Sequence, residues 1–224
     1  MLTLKDVTIS LDDFRLSADL VVPRRSRTVV LGPSGAGKST LLGAIAGFIA
    51  PEGLIAWNGT DLTGVPPGKR PIAMLFQDNN LFPHLTAEQN VGLGLNPRLS
   101  LTDAQRAQVR DALIATGLPQ HAKRKPAQLS GGQQSRVALA RILVQNRPLV
   151  LLDEPFAALG PALRRDMLDR VGRLDATVLM VSHNMDDARQ FATHVIWLDN
   201  GRAHPPRPTK AFFDDPPQGL GDYV

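Results

Sequence analysis

Cysteine is absent from this chain, which removes disulfide bridges, thiolate metal sites and a cysteine nucleophile, and fits a reducing compartment. Aromatic residues are few, with eight Phe, two Trp and one Tyr, and they do not alternate with clustered cations as a base-stacking surface would require. No stretch reaches the roughly 18 consecutive apolar residues of a bilayer-spanning helix. The opening MLTLKDVTIS has no basic segment followed by an apolar core, so neither a membrane span nor an export signal is expected. The formal net charge is only +4. Its densest run, Lys123, Arg124 and Lys125 beside Pro126, reads as a solvated face, and nucleic acid is not an expected partner.

What remains is a chain of 224 residues with 43% apolar content, enough to bury one sizeable core in a single domain, with or without an inserted subdomain. Alternating apolar residues over 2–11 predict an antiparallel strand. The continuous apolar run at 28–31 predicts a buried strand ending in Gly-Pro. A helix follows from about residue 38 to 48, and further buried strands are read at 72–76, 149–155 and 178–183. Strands alternating with helical patterns imply parallel β/α units that bind ligands at the carboxyl ends of the strands. From about residue 78 to 130 the texture changes to turns at Gly92, Gly94, Asn96 and Pro97 and a helical pattern over 103–116, without a strand-like run. This segment, extended to about residue 135, reads as a helical subdomain inserted in one domain spanning 1–224. The tail from Arg202 onward, with Pro205, Pro206, Pro208, Pro216 and Pro217, reads as a mostly irregular strap.

The sequence GPSGAGKST, comprising Gly32, Pro33, Ser34, Gly35, Ala36, Gly37, Lys38, Ser39 and Thr40, matches the phosphate-binding pattern G-x-x-x-x-G-K-[ST] between a strand and a helix. The glycines let backbone amides turn onto phosphates, the helix N-terminus adds partial positive charge, Lys38 reaches the terminal phosphates and the Ser39 hydroxyl suits Mg2+. Alone, this loop does not separate a GTPase, a kinase or a transporter ATPase. LVLLDEP places Asp153 and Glu154 at the end of another apolar strand: Asp153 is suited to hold Mg2+, and Glu154 to orient and deprotonate an attacking water. LSGGQ, at residues 129–133, precedes a helical pattern running to about residue 145, and Ser130, Gly131 and Gly132 at a helix start form a second candidate anion site.

This pentapeptide resembles the signature of the ABC ATPase family. With the phosphate loop, the Asp153-Glu154 strand end, Gln77 and His183 in family order, the resemblance covers nearly the whole chain. It implies an α/β phosphate-loop NTPase core with an N-terminal antiparallel β region and an inserted helical subdomain. It further implies Mg-ATP hydrolysis in a homodimer, where Ser130, Gly131, Gly132 and Gln133 of one copy face the phosphate loop of the other. Gln77 resembles the glutamine that senses Mg2+ and water and links ATP to a transmembrane permease. His183 resembles the switch histidine that meets the γ-phosphate. The family's adenine-stacking aromatic falls near Phe14, which is read equally as a stacking platform or as a packed residue.

Two departures stand out. Where the family usually has Ser-Ala-Leu-Asp after the catalytic Glu, this chain has Ala157-Ala158-Leu159-Gly160, so a carboxylate that helps position water across the dimer is missing. Gln134 and Ser135 also replace the Arg-Gln common after the signature, whereas Arg136 is kept. The segment 66–97, which in this family packs against the permease, resembles the ATP-binding subunits of bacterial thiamine importers. Related importers of iron, polyamine, sulfate or molybdate stay open as alternatives. The resemblance thus implies a peripheral protein on the cytoplasmic face of the bacterial inner membrane. Its partners would be a second copy and a permease and, indirectly, a solute-binding protein.

Overall fold

The structure is a computed structural model describing residues 1–12 and 14–220; residue 13 and residues 221–224 lie outside the described residues. Strands β1 (Leu2–Leu11) and β2 (Phe14–Val22) precede β3 (Arg27–Leu31), helix α1 (Lys38–Ala46), β4 (Glu52–Trp57), β5 (Thr60–Asp61) and β6 (Ile72–Leu75). Helices α2 (Ala87–Gly92), α3 (Asp103–Ala115) and α4 (Gly131–Gln145) follow. The chain continues through β7 (Leu149–Asp153), α5 (Pro161–Gly172), β8 (Thr177–Val181), α6 (Met185–Phe191) and β9 (His194–Asp199), and then through β10 (Arg202–Ala203), β11 (Arg207–Pro208) and α7 (Thr209–Asp214). Two compact units result. The first holds Met1–Ile72, Pro148–Asp153 and the chain from Gly172 on; the second holds Ala73–Arg147 and Glu154–Val171.

In the first unit the strand order is β5-β4-β1-β2-β10-β9-β3-β8-β7, with β11 on β9. The β5-β4-β1-β2 side is antiparallel, and β9, β3, β8 and β7 run parallel. The period-2 burial of β2 gives the antiparallel side one apolar face. Every residue of β7 and β8 is buried, as expected for strands covered on both faces. Helix α1 lies against β7, α6 against β3, and α7 against β9 and β11. The tail is more regular than its prolines suggested. Strand β10 pairs with both β2 and β9, Pro208 needs no N–H at the end of the two-residue β11, and Phe212 of α7 is fully buried.

Helix α1 ends in a glycine cap backed by a buried arginine. Gly47 has φ 90° at the C-cap and donates to the carbonyls of Gly43 and Ala44, while the Phe48 amide also donates to Gly43. Such a left-handed turn favours glycine. The Arg70 guanidinium occupies the space beside it: a Cβ on Gly47 would lie 2.5 Å from Arg70 Nε. Arg70, 2% exposed, donates to the carbonyls of Ala44 (3.0 Å) and Ile45 (2.6 Å) in the last turn, and to those of Val65 (2.7 Å) and Thr63 (3.2 Å). A cation is favoured at that helix end, although burial pulls its pKa below the usual arginine range.

In the second unit, α2, α3 and α4 share a core of Ala87, Val91, Val109, Ala112, Leu113, Leu118, Leu129, Val137 and Ala140. Each helix starts with a reciprocal capping box, Thr86 with Gln89, Thr102 with Gln105, and Ser130 with Gln133. Helix α2 occupies a stretch whose glycines suggested only turns, and its Thr-x-x-Gln box was the local signal for it. Arg136 of α4 donates to the carbonyls of Thr116 (3.0 Å) and Gly117 (3.2 Å) just past α3. It is a second arginine serving a helix C-terminus.

Replacing Arg70 with Leu should lower the free energy of unfolding by about 3 kcal/mol, because several buried carbonyls lose a charged donor. Urea titration of the purified chain measures this. Arg70→Lys should recover only part of the loss, since one ammonium cannot fork to both the helix and the loop.

Candidate functional site

Three loops leave the parallel sheet at one level. Val30 of β3 lies opposite Val181 of β8, and Val181 lies opposite Asp153 of β7. With strands spaced about 4.8 Å apart, the chain positions from which residue 32, residue 182 and Asp153 follow lie within about 10 Å of one another. The register alone therefore brings the phosphate-loop pattern, His183 and Asp153 to one edge of the first unit.

The loop after β3 is shaped by contacts that a side chain would obstruct. A Cβ on Gly32 would lie 2.0 Å from the Leu198 carbonyl oxygen of β9. Gly37 has φ +100°, and a Cβ there would meet Phe14 Cζ at 2.4 Å and Leu16 Cδ1 at 2.7 Å. The buried Lys38 ammonium donates to the carbonyls of Gly32 (2.7 Å) and Pro33 (2.8 Å), fixing the cation inside the loop. The N-cap of α1, Gly37, supplies no side-chain hydrogen bond, whereas α2, α3 and α4 are all capped. The first turn of α1, carrying Ser39 and Thr40, thus presents amides suited to an anion. Phe14 packs against Gly37 and also lines an open depression with Pro33, Ser34, Gly35 and Ala36, across from Trp197, Asn200 and Gly201.

The exposed His183 sits on a loop fixed from beneath. The Ser182 hydroxyl donates to the buried Asp187 carboxylate at 2.6 Å and accepts from the Asn184 amide at 3.0 Å. Asn184 in turn caps α6 by accepting from the Asp186 amide at 2.8 Å. Sequence reasoning missed this Ser182–Asn184–Asp187 support, for which the Ser-x-Asn-x-x-Asp spacing was the available signal.

The other expected residues lie in the second unit. Glu154, directly after Asp153, has φ 46°, a left-handed backbone that costs a non-glycine residue about 1–2 kcal/mol and recurs at functional sites. Gln77 is exposed after β6. The chain beyond it turns through Asn79 and Asn80, both with positive φ, and Arg141 of α4 donates to their carbonyls at 2.9 Å each. Burial lowers the Arg141 pKa. Ser130 caps α4, its hydroxyl accepting from the Gln133 amide at 3.3 Å, and Gly131 is exposed beside it. Gly132 is required by proximity, because a Cβ would stand 3.0 Å from Leu159 Cδ2 and 3.1 Å from the Ala158 carbonyl oxygen.

Residues 17–157 match the sequence profile of the family described as ABC transporter. The chain belongs to the ABC transporter family. Among its relatives is the thiamine import ATP-binding protein ThiQ of Ruegeria sp. (strain TM1040), 53% identical over 100% of this chain and 99% of that protein. The protein of the same name from Yersinia pseudotuberculosis serotype I (strain IP32953) is 49% identical over 96% of this chain and 93% of its own length. Among solved structures, the dimeric MJ0796 bacterial ABC transporter cassette superposes with a TM-score of 0.85 at 30% identity, covering 93% of this chain and 99% of that one. The dimeric post-hydrolysis state of MJ0796 bound to ADP and Pi gives 0.83 at the same identity and coverage.

Within this ABC chain, Gly160 stands where the resemblance leads one to expect Asp. The Gly160 carbonyl accepts from the Arg164 amide at 2.9 Å and Pro161 opens α5, so Gly160 has the N-cap position of that helix. A Cβ there meets nothing within 4 Å. Gly160→Asp should therefore fold normally and gain a few tenths of a kcal/mol from the cap. It should leave ATP binding unchanged while altering turnover. Calorimetry and steady-state phosphate release test the two effects separately, and identical turnover would deny the position any part in hydrolysis.

Proposed function

We propose that this chain is the ATP-hydrolysing subunit of a bacterial thiamine importer, working as a homodimer against a transmembrane permease on the cytoplasmic face of the inner membrane. The observation that carries the ATPase reading is the common level at which β3, β8 and β7 deliver the phosphate loop, His183 and Asp153. The cargo rests on full-length identity to thiamine import ATP-binding proteins. Among the described residues no helix is long and apolar enough to cross a membrane, so on this reading the permease supplies the pathway. The whole chain serves as one ATP-binding domain, with the helical segment at about 78–135 as its insert.

In this reading residues 32–40 cradle the phosphates of ATP, Lys38 neutralises the terminal ones, and Phe14 offers a face beside the loop for the base. The Ser39 hydroxyl and the Asp153 carboxylate are hard donors of the kind Mg2+ accepts, and they fit that ion; the family resemblance adds the Gln77 carboxamide oxygen. Bound there, Mg2+ would neutralise charge on the phosphate oxygens. Glu154 orients water and takes its proton, and His183 contacts the terminal phosphate. Ser130, Gly131, Gly132 and Gln133 present a hydroxyl and helix-start amides to the nucleotide of the second copy.

The permease would meet the segment after Gln77. Asn90, fully buried, accepts from the Phe82 amide and donates to the carbonyls of Phe82, Leu85 and Thr86. This pins the turn so that Phe82 remains 47% exposed, edge-on to His84 with ring centroids 6.0 Å apart.

Two experiments test the proposal. Glu154→Gln should reduce steady-state hydrolysis by the assembled complex by about 10²-fold or more, and near-parental turnover would remove Glu154 from its role. Lys38→Ala in the native host should abolish labelled thiamine uptake while sparing sulfate and polyamine uptake. Unchanged thiamine uptake would leave the ATPase without this cargo.

A further inference from the structure

The start of α4 contains hydrogen bonds from which proton positions can be deduced. Gln133 Oε1 accepts from the Ser130 amide at 2.9 Å. An amide N–H only donates, so this bond fixes which end of the Gln133 carboxamide faces Ser130. The other end, Nε2, lies 3.1 Å from the Nε2 of His121. A carboxamide nitrogen also only donates. His121 Nε2 must therefore present a lone pair, and the ring hydrogen must sit on Nδ1.

That arrangement has a cost on the far side of the ring. His121 Nδ1 is buried and has no hydrogen-bond partner among the described residues. A buried polar atom left without a partner calls for a compensating reason. The backbone on either side is fixed, with the His121 amide donating to the Leu118 carbonyl at 3.0 Å and the Arg124 amide to the His121 carbonyl at 2.9 Å, so the ring is held toward Gln133 by the short turn Pro119–His121. The capping boxes of α2 and α3 use the same Thr-x-x-Gln pairing. Among the described residues neither Gln89 nor Gln105 has a third side chain on its carboxamide nitrogen. The addition is confined to the helix that begins with the signature.

We propose that His121, held as the neutral Nδ1–H tautomer, is a positioning residue of the nucleotide site. It locks the Gln133 carboxamide, which closes the box with Ser130 and so aims the Ser130 hydroxyl and the Gly131 and Gly132 amides at the ATP held by the second copy. The inference deepens the dimeric ATPase reading given above and rests on it. His121 touches no nucleotide itself. Without the acceptor at its Nε2, the Gln133 side chain loses one of its two anchors, and the Ser130 hydroxyl becomes a mobile cap in place of a fixed one.

The test combines a spectroscopic and a kinetic measurement. In the full chain labelled with 15N-histidine, the His121 signals, identified by their loss in His121→Gln, should show a protonated Nδ1 and an unprotonated Nε2. A protonated Nε2 overturns the proposal. In the assembled complex, His121→Leu should raise the KM for ATP or lower kcat by about tenfold, the effect of one hydrogen bond. His121→Gln, whose Oε1 can take the place of the imidazole acceptor, should return both constants to within about twofold of parental. A folded Leu variant with parental constants, or equal losses in the Leu and Gln variants, overturns the role. Ser130→Ala separates the two levels: parental turnover there would sink the signature reading itself, while leaving the tautomer measurement as it stands.

Discussion

The main-chain ladder of the parallel strands is the constraint on which the site depends. Side chains alternate along a strand, so a one-residue slip of β8 against β3 would exchange the side chains on its two covered faces and displace His183 relative to residue 32. Burial of every residue in β7 and β8 makes such a slip expensive. Hydrophobic packing thus sets the level at which polar residues emerge. Gly32 shows how tight the arrangement is, because the loop that leaves β3 touches the backbone of β9 directly.

A second theme is how this chain finishes its helices. Helices α2, α3, α4 and α6 carry side-chain caps at their N-termini, whereas α1 and α7 start at Gly37 and Pro208 without one. The carbonyl ends of α1 and α3 are served by Arg70 and Arg136, each with a guanidinium pKa lowered by burial. An arginine donor at a buried carbonyl satisfies an acceptor that would otherwise be stripped of water. At α1 the missing side-chain cap leaves the first-turn amides open to phosphate.

Much of this was legible in the sequence because the informative signals are local. The phosphate loop, the apolar run ending in Asp153 and Glu154, and the Ser-Gly-Gly-Gln start of α4 each lie within one strand-to-loop or loop-to-helix junction. The predicted helix over residues 131–145 matches α4, and the strand ends fell where the apolar runs stopped. Helix α2 was obscured because Gly92 and Gly94 outweighed the Thr86 box. The tail was read as irregular because the pairing of β10 with β2 and β9 joins residues far apart in the chain. The same separation hid the role of Arg70, whose partners in α1 lie some 25 positions earlier, and the grip of Arg141 on Asn79 and Asn80. Long-range hydrogen bonds leave no periodicity to read.

That last contact has a mechanical consequence. Arg141 lies eleven residues beyond Ser130 on α4, an arm of roughly 16 Å at 1.5 Å per residue. Its two bonds tie one point of that arm to the chain that follows Gln77. If the arm pivots at Arg141, a tilt of about 10° sweeps its Ser130 end through roughly 3 Å, enough to make or break a hydrogen bond. The loop after Gln77 and the helix that begins at the signature are thus tied into one mechanical piece, so that a displacement of either is felt by the other.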